Sequence, residues 1–448
     1  MAAVASTDKL VSMDPHDGSI VGELRVSSAD DVRAAVARAR AVQPAWASAG
    51  FEARAAALMS AGPLIERAAE ELASLAHREM GKPMKDALGE AQGIAKAIER
   101  HVEMARRAIE PVTMREDDQE TTLRHDPLGV VAVITPWNFP LWMPASLLYP
   151  ALLTGNTVVH KPSEKTPLLG QLLNAVLASA LPDGVLMPLV GGGDVGALLV
   201  ESDVEMVAFV GSQDVGRRIM AACAPGLKRL VLELGGKDPM IVLDDADIEK
   251  AAQFAARGAF SNAGQVCCSV ERILVAREIE APFLARLVEL ATATSIGPMV
   301  DDAQRQKVVA LVDDARRRGA KVLCGGEATS GQGSHYPPTI LAGVTDDMDV
   351  AHREIFGPVA TVRAVDSAEE ALAVANGVPY GLGATVWTGD AARGEAVASR
   401  IQSGMIGINR GIRGVGDSPW VGARQSGFGY TGSIDGTRQF TQVRTITR

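Results

Sequence analysis

The sequence has 448 residues, 47% hydrophobic and 22% charged, which is long enough for two or three globular domains and too apolar for a disordered chain. Its net charge of −10 argues against nucleic acid as a partner, because phosphate binding needs a basic surface. No stretch approaches about 18 uninterrupted apolar residues, and the four cysteines have neither a disulfide-framework nor a zinc spacing, so we expect a cytoplasmic protein with no membrane association and no bound metal.

The N-terminal part of the chain is predicted to be mainly helical. Its first 25 residues show no signal-peptide pattern and indicate short extended segments around the turn Asp14–Gly18. Apolar residues then recur at helical spacing in three stretches, the second of them interrupted at Pro63. These stretches run from Ser28 to Ala49, from Glu52 to Met80 and from Met84 to Ile109. We assign all three helices to packing.

Residues 110–127 are polar and contain a plausible strand pair, which indicates an excursion toward another subunit. After them, short β-branched runs alternate with helical segments as far as Leu234. Such alternation predicts a doubly wound parallel sheet, in which ligands bind beyond the carboxyl ends of the strands. The predicted strands lie near residues 129–135, 157–160, 185–190, 206–210 and 229–234.

A second α/β segment is predicted from Asp244 onward. A loop rich in glycine and arginine follows at 409–424, and the alternating tail 438–447 indicates an edge strand. The predicted helices are 247–260, 281–293, 302–319 and 367–376, and the predicted strands are 272–276 and 383–388.

Cys267 lies at the end of a small, flexible segment that begins at Phe260. For a single cysteine, burial as a packing residue is the ordinary explanation. The alternative is a nucleophile, because backbone amides of an Asn-Ala-Gly-Gln turn can stabilise a thiolate. Which of the two holds depends on whether the rest of the chain supplies a base, an oxyanion donor and an electron acceptor.

The carboxyl ends of the predicted strands carry weak signals for a dinucleotide. Lys161 and Glu164 follow one strand and can bracket a ribose, while Gly211 lets backbone approach a pyrophosphate and Ser212 offers it a hydroxyl. The chain lacks both the G-x-G-x-x-G and the P-loop motifs, so these residues alone do not establish nucleotide binding.

Six motifs in order resemble those of the aldehyde dehydrogenase superfamily, and the loop Gly407-Ile408-Asn409-Arg410-Gly411 is similar to that of its semialdehyde-oxidising members. They are Thr135-Pro136-Trp137-Asn138-Phe139-Pro140, Lys161-Pro162-Ser163-Glu164, Gly211-Ser212 with Val215-Gly216, Leu232-Glu233-Leu234-Gly235-Gly236-Lys237, Asn262-x-Gly264-Gln265-x-Cys267 and Glu354-x-Phe356-Gly357-Pro358. The resemblance implies oxidation of an aldehyde to a carboxylic acid with NAD(P). Cys267 is then the nucleophile, Asn138 and the Cys267 backbone N–H hold the oxyanion, and Glu233 activates the hydrolytic water. Because relatives that transfer the acyl group to coenzyme A tend to lack this glutamate, we expect a free acid as product.

The resemblance also divides the chain and assigns the cofactor residues. It implies a dinucleotide-binding domain at 1–111 and 127–234, a catalytic domain at 235–430, and a small β oligomerisation element at 112–126 and 431–448, hence a homodimer or homotetramer. Glu164 favours NAD over NADP, which stays an alternative, because a carboxylate repels a 2′-phosphate. The expected cofactor contacts are Thr135, Pro136, Trp137, Lys161, Ser163, Glu164, Gly211, Ser212, Val215, Leu234, Gly235, Glu354 and Phe356.

The substrate is less well defined. The expected mouth comprises Trp142, Ser146, Val266, Cys268, Arg410, Arg413 and Trp420. Arg410 and Arg413 favour an anionic semialdehyde such as succinate semialdehyde, although arginines in a loop are equally often solvated. An uncharged aliphatic or aromatic aldehyde is the main rival, since Trp142 and Trp420 suit it.

Two positions depart from the aliphatic-aldehyde and retinal-oxidising members of the superfamily. Leu147 and Thr431 replace a lysine and a glutamate thought to relay protons, which puts the proton exit path in doubt. Two other classes of protein are alternatives to an aldehyde dehydrogenase. A non-catalytic binding protein would be expected to lose Cys267, Asn138 or Glu233, and a cysteine hydrolase would need a paired histidine motif that none of the seven histidines provides.

Overall fold

A computed structural model describes residues 9–448, and the predicted extended segment at the N-terminus is therefore seen from residue 9 onward. It forms a hairpin, and three helices follow. Ser28 caps the first helix: its hydroxyl accepts from the N–H of Asp31, whose carboxylate in turn accepts from the Ser28 N–H. The elements are β1 (Lys9–Met13), β2 (Ile20–Arg25), α1 (Ala29–Ser48), α2 (Phe51–Met80) and α3 (Met84–Ile109).

The predicted interruption of α2 at Pro63 is wrong, because the helix is continuous from Phe51 to Met80. Proline removes one backbone hydrogen bond at a cost of about 3 kcal/mol. Buried residues on both sides of it, Ala61 and Ile65, hold the two halves in the core formed with α3 and α4. Burial of apolar surface therefore offsets the local preference of Pro63.

The first sheet has parallel strands, as predicted, with helices on both faces. Its order is β9-β8-β5-β6-β7, so the strand order reverses between β5 and β8. At this switch point a crevice opens beyond the carboxyl ends of the strands. The elements in this part of the chain are β3 (Val112–Glu116), β4 (Gln119–Pro127), β5 (Val130–Ile134), α4 (Trp142–Leu153), β6 (Thr157–Lys161), α5 (Pro167–Ala178), β7 (Leu186–Pro188), α6 (Gly193–Glu201), β8 (Met206–Val210), α7 (Gln213–Cys223) and β9 (Arg229–Glu233).

The second sheet has seven strands in the order β12-β13-β14-β11-β10-β15-β16, and only β12 runs antiparallel. Its strand Asp238–Val242 is fully buried and was not among the predicted elements, because its Asp-Pro start indicates a turn. The elements are β10 (Asp238–Val242), α8 (Ile248–Phe260), β11 (Val270–Ala276), α9 (Glu280–Ala293), α10 (Asp302–Arg317), β12 (Lys321–Cys324), β13 (Thr339–Ala342), α11 (Asp349–His352), β14 (Val359–Val365), α12 (Ala368–Asn376), β15 (Gly383–Trp387), α13 (Ala391–Ala398) and β16 (Met405–Ile408).

The C-terminal segment returns to the first sheet and then completes a third one. The short strand β18 pairs antiparallel with β9, although its residues fall within the predicted catalytic domain, and β20 joins β4 and β3 in a three-stranded antiparallel sheet. The predicted tail strand starts later, at Thr441, because Ile434–Arg438 is helical. The domain boundaries stay a prediction. These elements are β17 (Trp420–Val421), β18 (Gly427–Phe428), β19 (Tyr430–Thr431), α14 (Ile434–Arg438) and β20 (Thr441–Thr447).

Two further points concern residues 9–448: membrane-spanning helices and groups of metal-ligating side chains. None of the helices in that range is long and apolar enough to cross a membrane. No group of three or more His, Cys, Asp or Glu side chains in the same range is placed to hold a metal ion.

Candidate active site

A cavity of about 490 Å³ lies where the ends of β5, β8 and β9 meet the segment that contains Cys267. All three residues predicted to be catalytic line it, although they come from positions 138, 233 and 267 of the chain. The lining residues are Pro136, Trp137, Asn138, Phe139, Trp142, Met143, Val210, Gly211, Ser212, Glu233, Leu234, Gly235, Val266, Cys267, Cys268, Gln304, Lys307, Glu354, Phe356, Arg413 and Trp420.

The segment before Cys267 turns sharply after α8 ends at Phe260. Asn262, Ala263 and Gly264 have φ angles of 53°, 54° and 67°, three successive residues in the left-handed region. A Cβ atom on Gly264 would lie 2.0 Å from the carbonyl oxygen of Gly357, so only glycine fits there. This turn carries the chain from a buried helix back to the cavity and presents Cys267 to it.

The Asn138 side chain is held by the same segment. Its Nδ2 donates to the carbonyl oxygen of Gln265 at 3.0 Å. Asn262 Nδ2 lies 3.1 Å from the Asn138 carbonyl oxygen and 3.2 Å from that of Gln265, which completes the connection. Because a carboxamide has two N–H groups, one remains on Asn138 for a ligand oxygen.

The Cys267 thiol has a pKa well above its usual range. The hydrogen bond with the neighbouring Cys268 thiol is the largest cause, followed by burial and by the negative charges of Asp238 and Glu233. The resting side chain is therefore a neutral thiol, and attack on a carbonyl requires a base to take its proton.

Glu233, the last residue of β9, is 4% exposed. Burial raises the pKa of its carboxyl group to about 7, and a hydrogen bond from the Thr431 hydroxyl to Oε1 opposes that rise. A carboxylate with a pKa near neutrality is suited to general-base chemistry. Thr431 therefore contacts the predicted base, whereas Leu147, the other departing position, is fully buried in the core formed by α2, α3 and α4.

The predicted ribose residues lie at the end of β6. Lys161 is 3% exposed, and its Nζ donates to the carbonyl oxygens of Pro162 and Gly191 at 2.9 Å each. Its Nζ also lies 3.6 Å from Oε2 of the partly exposed Glu164. A buried amine beneath an accessible carboxylate can bind the two hydroxyls of a ribose.

The start of α7 offers a place for a pyrophosphate. Ser212 is its N-cap residue, but the Ser212 side chain makes no capping hydrogen bond, and no side chain within residues 9–448 accepts from the first-turn N–H groups. Gly211 and Ser212 line the cavity immediately before this turn. Two other predicted cofactor residues already have hydrogen-bond partners within the protein. The Thr135 hydroxyl is hydrogen-bonded to His160 Nε2 at 2.9 Å, and the Ser163 hydroxyl accepts from the Lys165 N–H.

Glu354 lies across the cavity from these residues. Its Oε1 accepts from the Gly236 N–H at 3.1 Å, and burial raises the pKa of its carboxyl group to about 7. A Cβ on Gly235 would come within 2.4 Å of both carboxylate oxygens, so glycine permits this approach. A polar, partly buried carboxylate here fits a second ribose.

A buried ion pair fixes the Glu354 loop. Glu271 accepts from the N–H groups of Ile355 and Phe356 at about 3 Å, and Lys237 Nζ lies 2.6 Å from its Oε2. The Phe356 ring packs edge-on against Trp137, with centroids 5.5 Å apart. The Lys161 ammonium group, the N–H groups at the start of α7 and the carboxylates of Glu164 and Glu354 together fit a dinucleotide.

Comparison with known proteins agrees with this geometry. Residues 3–446 match the sequence profile of the Aldehyde dehydrogenase family. The chain belongs to the aldehyde dehydrogenase family. Betaine aldehyde dehydrogenase 1 of Rhizobium meliloti (strain 1021) is 36% identical over 97% of this chain and 93% of its own length.

Solved structures of aldehyde dehydrogenases superpose closely. The NAD-dependent aldehyde dehydrogenase from Sinorhizobium meliloti has a TM-score of 0.95 at 36% identity, covering 100% of this chain and 92% of its own. Indole-3-acetaldehyde dehydrogenase complexed with NAD+ has a TM-score of 0.94 at 36% identity, with 100% and 94% coverage. The predicted family, fold class and cofactor are thereby confirmed: this aldehyde dehydrogenase is an oxidoreductase that uses NAD.

The structure of this aldehyde dehydrogenase divides the predicted substrate residues. Trp142, Val266, Cys268, Arg413 and Trp420 line the cavity, whereas Ser146 and Arg410 do not. The Ser146 hydroxyl donates to the Met143 carbonyl oxygen within α4, and Arg410 is exposed.

Five cavity residues were missed by sequence reasoning, and one of them, Val210, is the last residue of β8. Phe139 and Met143 flank Asn138 and Trp142, and their helical spacing was a usable signal. Gln304 and Lys307 come from α10, where no motif marks them.

Proposed function

We propose that this enzyme converts an aldehyde to a free carboxylic acid through a thioester on Cys267. The observation that carries the proposal is that one cavity contains a thiol, a carboxamide and a carboxylate with a pKa near 7. The residue roles below follow from their chemistry and placement.

In the first step, Glu233 takes the thiol proton and the Cys267 sulfur attacks the aldehyde carbon, which gives a thiohemiacetal. The free N–H of the Asn138 amide and the backbone N–H of Cys267 stabilise the oxyanion. NAD, when bound, accepts the hydride that leaves this carbon, and the enzyme retains a thioester.

Before the second step, Glu233 releases the thiol proton to solvent. It then removes a proton from a water molecule that attacks the thioester carbon, and the Cys267 sulfur departs as the acid is released and takes that proton back from Glu233. Residues that would hold NAD are Lys161 and Glu164 at one ribose, the turn Gly211–Ser212 at the pyrophosphate, and Glu354 at the other ribose. The accessible carboxylate of Glu164 supports NAD rather than NADP, because it repels a 2′-phosphate.

For the substrate, we propose an anionic semialdehyde such as succinate semialdehyde. Arg413 supports this choice, since it lines the cavity and its guanidinium has no ion-pair or hydrogen-bond partner within residues 9–448. Arg413 is exposed, and a guanidinium at the mouth of the cavity attracts a carboxylate. The other predicted arginine, Arg410, lends no support from its position.

The rival substrate is an uncharged or cationic aldehyde. Trp142 and Trp420 line the cavity and offer aromatic faces, which bind apolar groups or quaternary ammonium ions. Several relatives are named betaine aldehyde dehydrogenases, and betaine aldehyde is such a cation. Against this rival stands the positive charge of Arg413.

The test is NADH formation, followed by absorbance, with succinate semialdehyde, propanal, benzaldehyde and betaine aldehyde. The wild type is expected to reduce NAD with at least one of them, and Cys267→Ala with none. No aldehyde-dependent reduction by the wild type would contradict the function. A rate with succinate semialdehyde that is no higher than with propanal would contradict the anionic substrate.

A further inference from the structure

One ion pair joins the ribose loop, residues 161–166 between β6 and α5, to helix α10 beside the second sheet. Lys165 Nζ contacts Oδ2 of Asp301, and neither residue takes part in the mechanism proposed above. The two side chains are 28% and 36% exposed, so solvent reaches the pair but does not surround it. Such a pair adds little to overall stability, and its significance lies in the two parts of the site that it connects.

The ribose loop is fixed at the end that leads into α5. Glu79 on α2 accepts from the N–H groups of Leu168 and Leu169, in the first turn of that helix, at 3.0 and 2.8 Å. A Cβ on Gly170 would lie 2.3 Å from the Cβ of Pro162, so glycine lets the loop pack directly on α5. The loop is therefore held as one unit with the helices of the first sheet.

Asp301, on the other side of the pair, is the N-cap residue of α10. Its Oδ1 accepts from the Gln304 N–H at 2.8 Å, so one carboxylate oxygen caps the helix while the other contacts the ribose loop. The Gln304 side chain in turn donates to the carbonyl oxygens of Ile355 and Phe356, at 3.3 and 2.9 Å. The start of α10 therefore holds the loop that carries Glu354.

The residue before this N-cap contacts the segment that contains the nucleophile. The Val300 N–H donates to Oε1 of Gln265 at 2.8 Å, and Gln265, two residues before Cys267, is fully buried. The carbonyl oxygen of Gln265 also accepts from the Asn138 side chain. Three parts of the site thus meet at the start of α10: the ribose loop, the Glu354 loop and the Cys267 segment.

We propose that Asp301 is a positioning residue for NAD, and that its ion pair with Lys165 holds the two ribose sites at the separation that the dinucleotide spans. The inference rests on the proposed placement of the riboses at Glu164 and Glu354, and it adds a pair of residues that lies outside the cavity lining. With the pair intact, both halves of the site are ordered before the cofactor binds, so less conformational freedom is lost on binding. Without it, the ribose loop moves relative to α10 and the affinity for NAD falls.

The test is the Kd of NADH, measured by the change in nicotinamide fluorescence, which needs no turnover. Asp301→Asn keeps an oxygen to cap Gln304 and removes the charge, so Kd should rise about three- to fivefold. Lys165→Gln should have the same effect, and the double variant should bind no more weakly than either single variant, because both changes remove one interaction. Lys165→Arg keeps the positive charge and should leave Kd within about twofold of the wild type.

Asp302→Asn is the matched control. It removes an ion pair with Arg305 inside α10 and leaves the contact with the ribose loop intact, so Kd should stay within about twofold of the wild type. The inference would be overturned by an Asp301→Asn variant with the wild-type Kd, by an equal rise in Asp302→Asn, or by a double variant whose Kd rises by the product of the two single effects.

Glu164→Ala tests the placement of the ribose separately. Loss of the carboxylate should raise the Kd of NADH about tenfold or more, because the ribose hydroxyls lose their acceptor. If this variant binds NADH more weakly but Asp301→Asn does not, the inference alone fails. If Glu164→Ala keeps the wild-type Kd, the proposed ribose site fails and the inference fails with it.

Discussion

At the scale of single residues, the contact between Thr431 and Glu233 bears most directly on the chemistry. The Thr431 hydroxyl donates to the buried carboxylate and stabilises its ionised form, so it lowers a pKa that burial raises to about 7. Glu233 is an active base only when ionised, and activity limited by hydrolysis should rise with pH through this value. In the proposed mechanism, Thr431 is thus a positioning residue that helps to keep the Glu233 carboxylate ionised near neutral pH.

Thr431→Val is expected to raise the pKa of Glu233, because the carboxylate loses its hydrogen-bond donor. If the carboxyl group becomes a tenfold weaker acid, its ionised fraction, and with it kcat, falls about fivefold at pH 7 and stays nearly unchanged at pH 9. The measurement is kcat from pH 5.5 to 9.5, with Thr431→Ser as the control that keeps the hydroxyl and the wild-type profile. An equal loss of kcat at every pH would show that Thr431 does not act through the ionisation of Glu233.

At the scale of elements, a buried ion pair connects the helices α2, α3 and α4 to the loop that carries Asn138. Lys82, between α2 and α3, pairs with Glu90 on α3, and both side chains are 4% exposed or less. The second oxygen of Glu90 accepts from the N–H groups of Leu141 and Trp142 at the start of α4. This contact fixes the loop that carries Asn138.

Glu90→Gln keeps an oxygen for those N–H groups but leaves the Lys82 ammonium buried without a counter-charge. We expect a loss of about 3–5 kcal/mol in stability, seen as a lower thermal midpoint in calorimetry. The matched control is Glu249→Gln, which breaks the more exposed pair with Arg286 and should lower the midpoint far less, because solvent screens that pair. Similar midpoints for the two variants would contradict the role of the buried pair.

Local sequence patterns predicted most elements, because buried strands such as Val130–Ile134 are continuous β-branched runs and helices have a clear periodicity. They failed where tertiary contacts decide the outcome. Pro63 remains helical because its neighbours are buried on both sides, and the strand at Asp238 forms despite a turn-like start.

The candidate site shows the same division. Motif spacing indicated Cys267, Asn138 and Glu233, since these residues stand in recognisable local contexts. It placed Arg410 in the substrate mouth, although that residue is exposed and does not line the cavity. Contacts between distant segments, such as Thr431 with Glu233, are set by the fold as a whole.

At the scale of the whole molecule, the three-stranded sheet presents an apolar face. Val112 and Met114 on β3 and Val443 on β20 are each at least 48% exposed. The strand register places Val112 opposite Leu123 and Val443 opposite His125, so these side chains share one face. We propose that a second copy of the chain covers it, in a homodimer or homotetramer.

Val443→Glu is expected to weaken that assembly, because a carboxylate would be buried in an apolar interface. Ile446→Glu is the control, since Ile446 is similarly exposed but lies on the opposite face of β20. Light scattering at micromolar protein should give a lower mass for Val443→Glu than for the wild type and for Ile446→Glu. A monomeric wild type, or equal masses for the two variants, would contradict the assignment of this face.

In the proposed mechanism, a thioester forms on Cys267 and Glu233 is needed to hydrolyse it. Glu233→Gln keeps the shape of the side chain and removes the base, so the acyl group should remain on the enzyme. The measurement is mass spectrometry of this variant after mixing with NAD, an oxidisable aldehyde and auxiliary base at pH 9, where Cys267 ionises more readily. We predict an adduct of one acyl group on the peptide that contains Cys267, with about one equivalent of NADH, and none in Cys267→Ala. Undiminished steady turnover in Glu233→Gln, or an adduct that persists in Cys267→Ala, would contradict the mechanism.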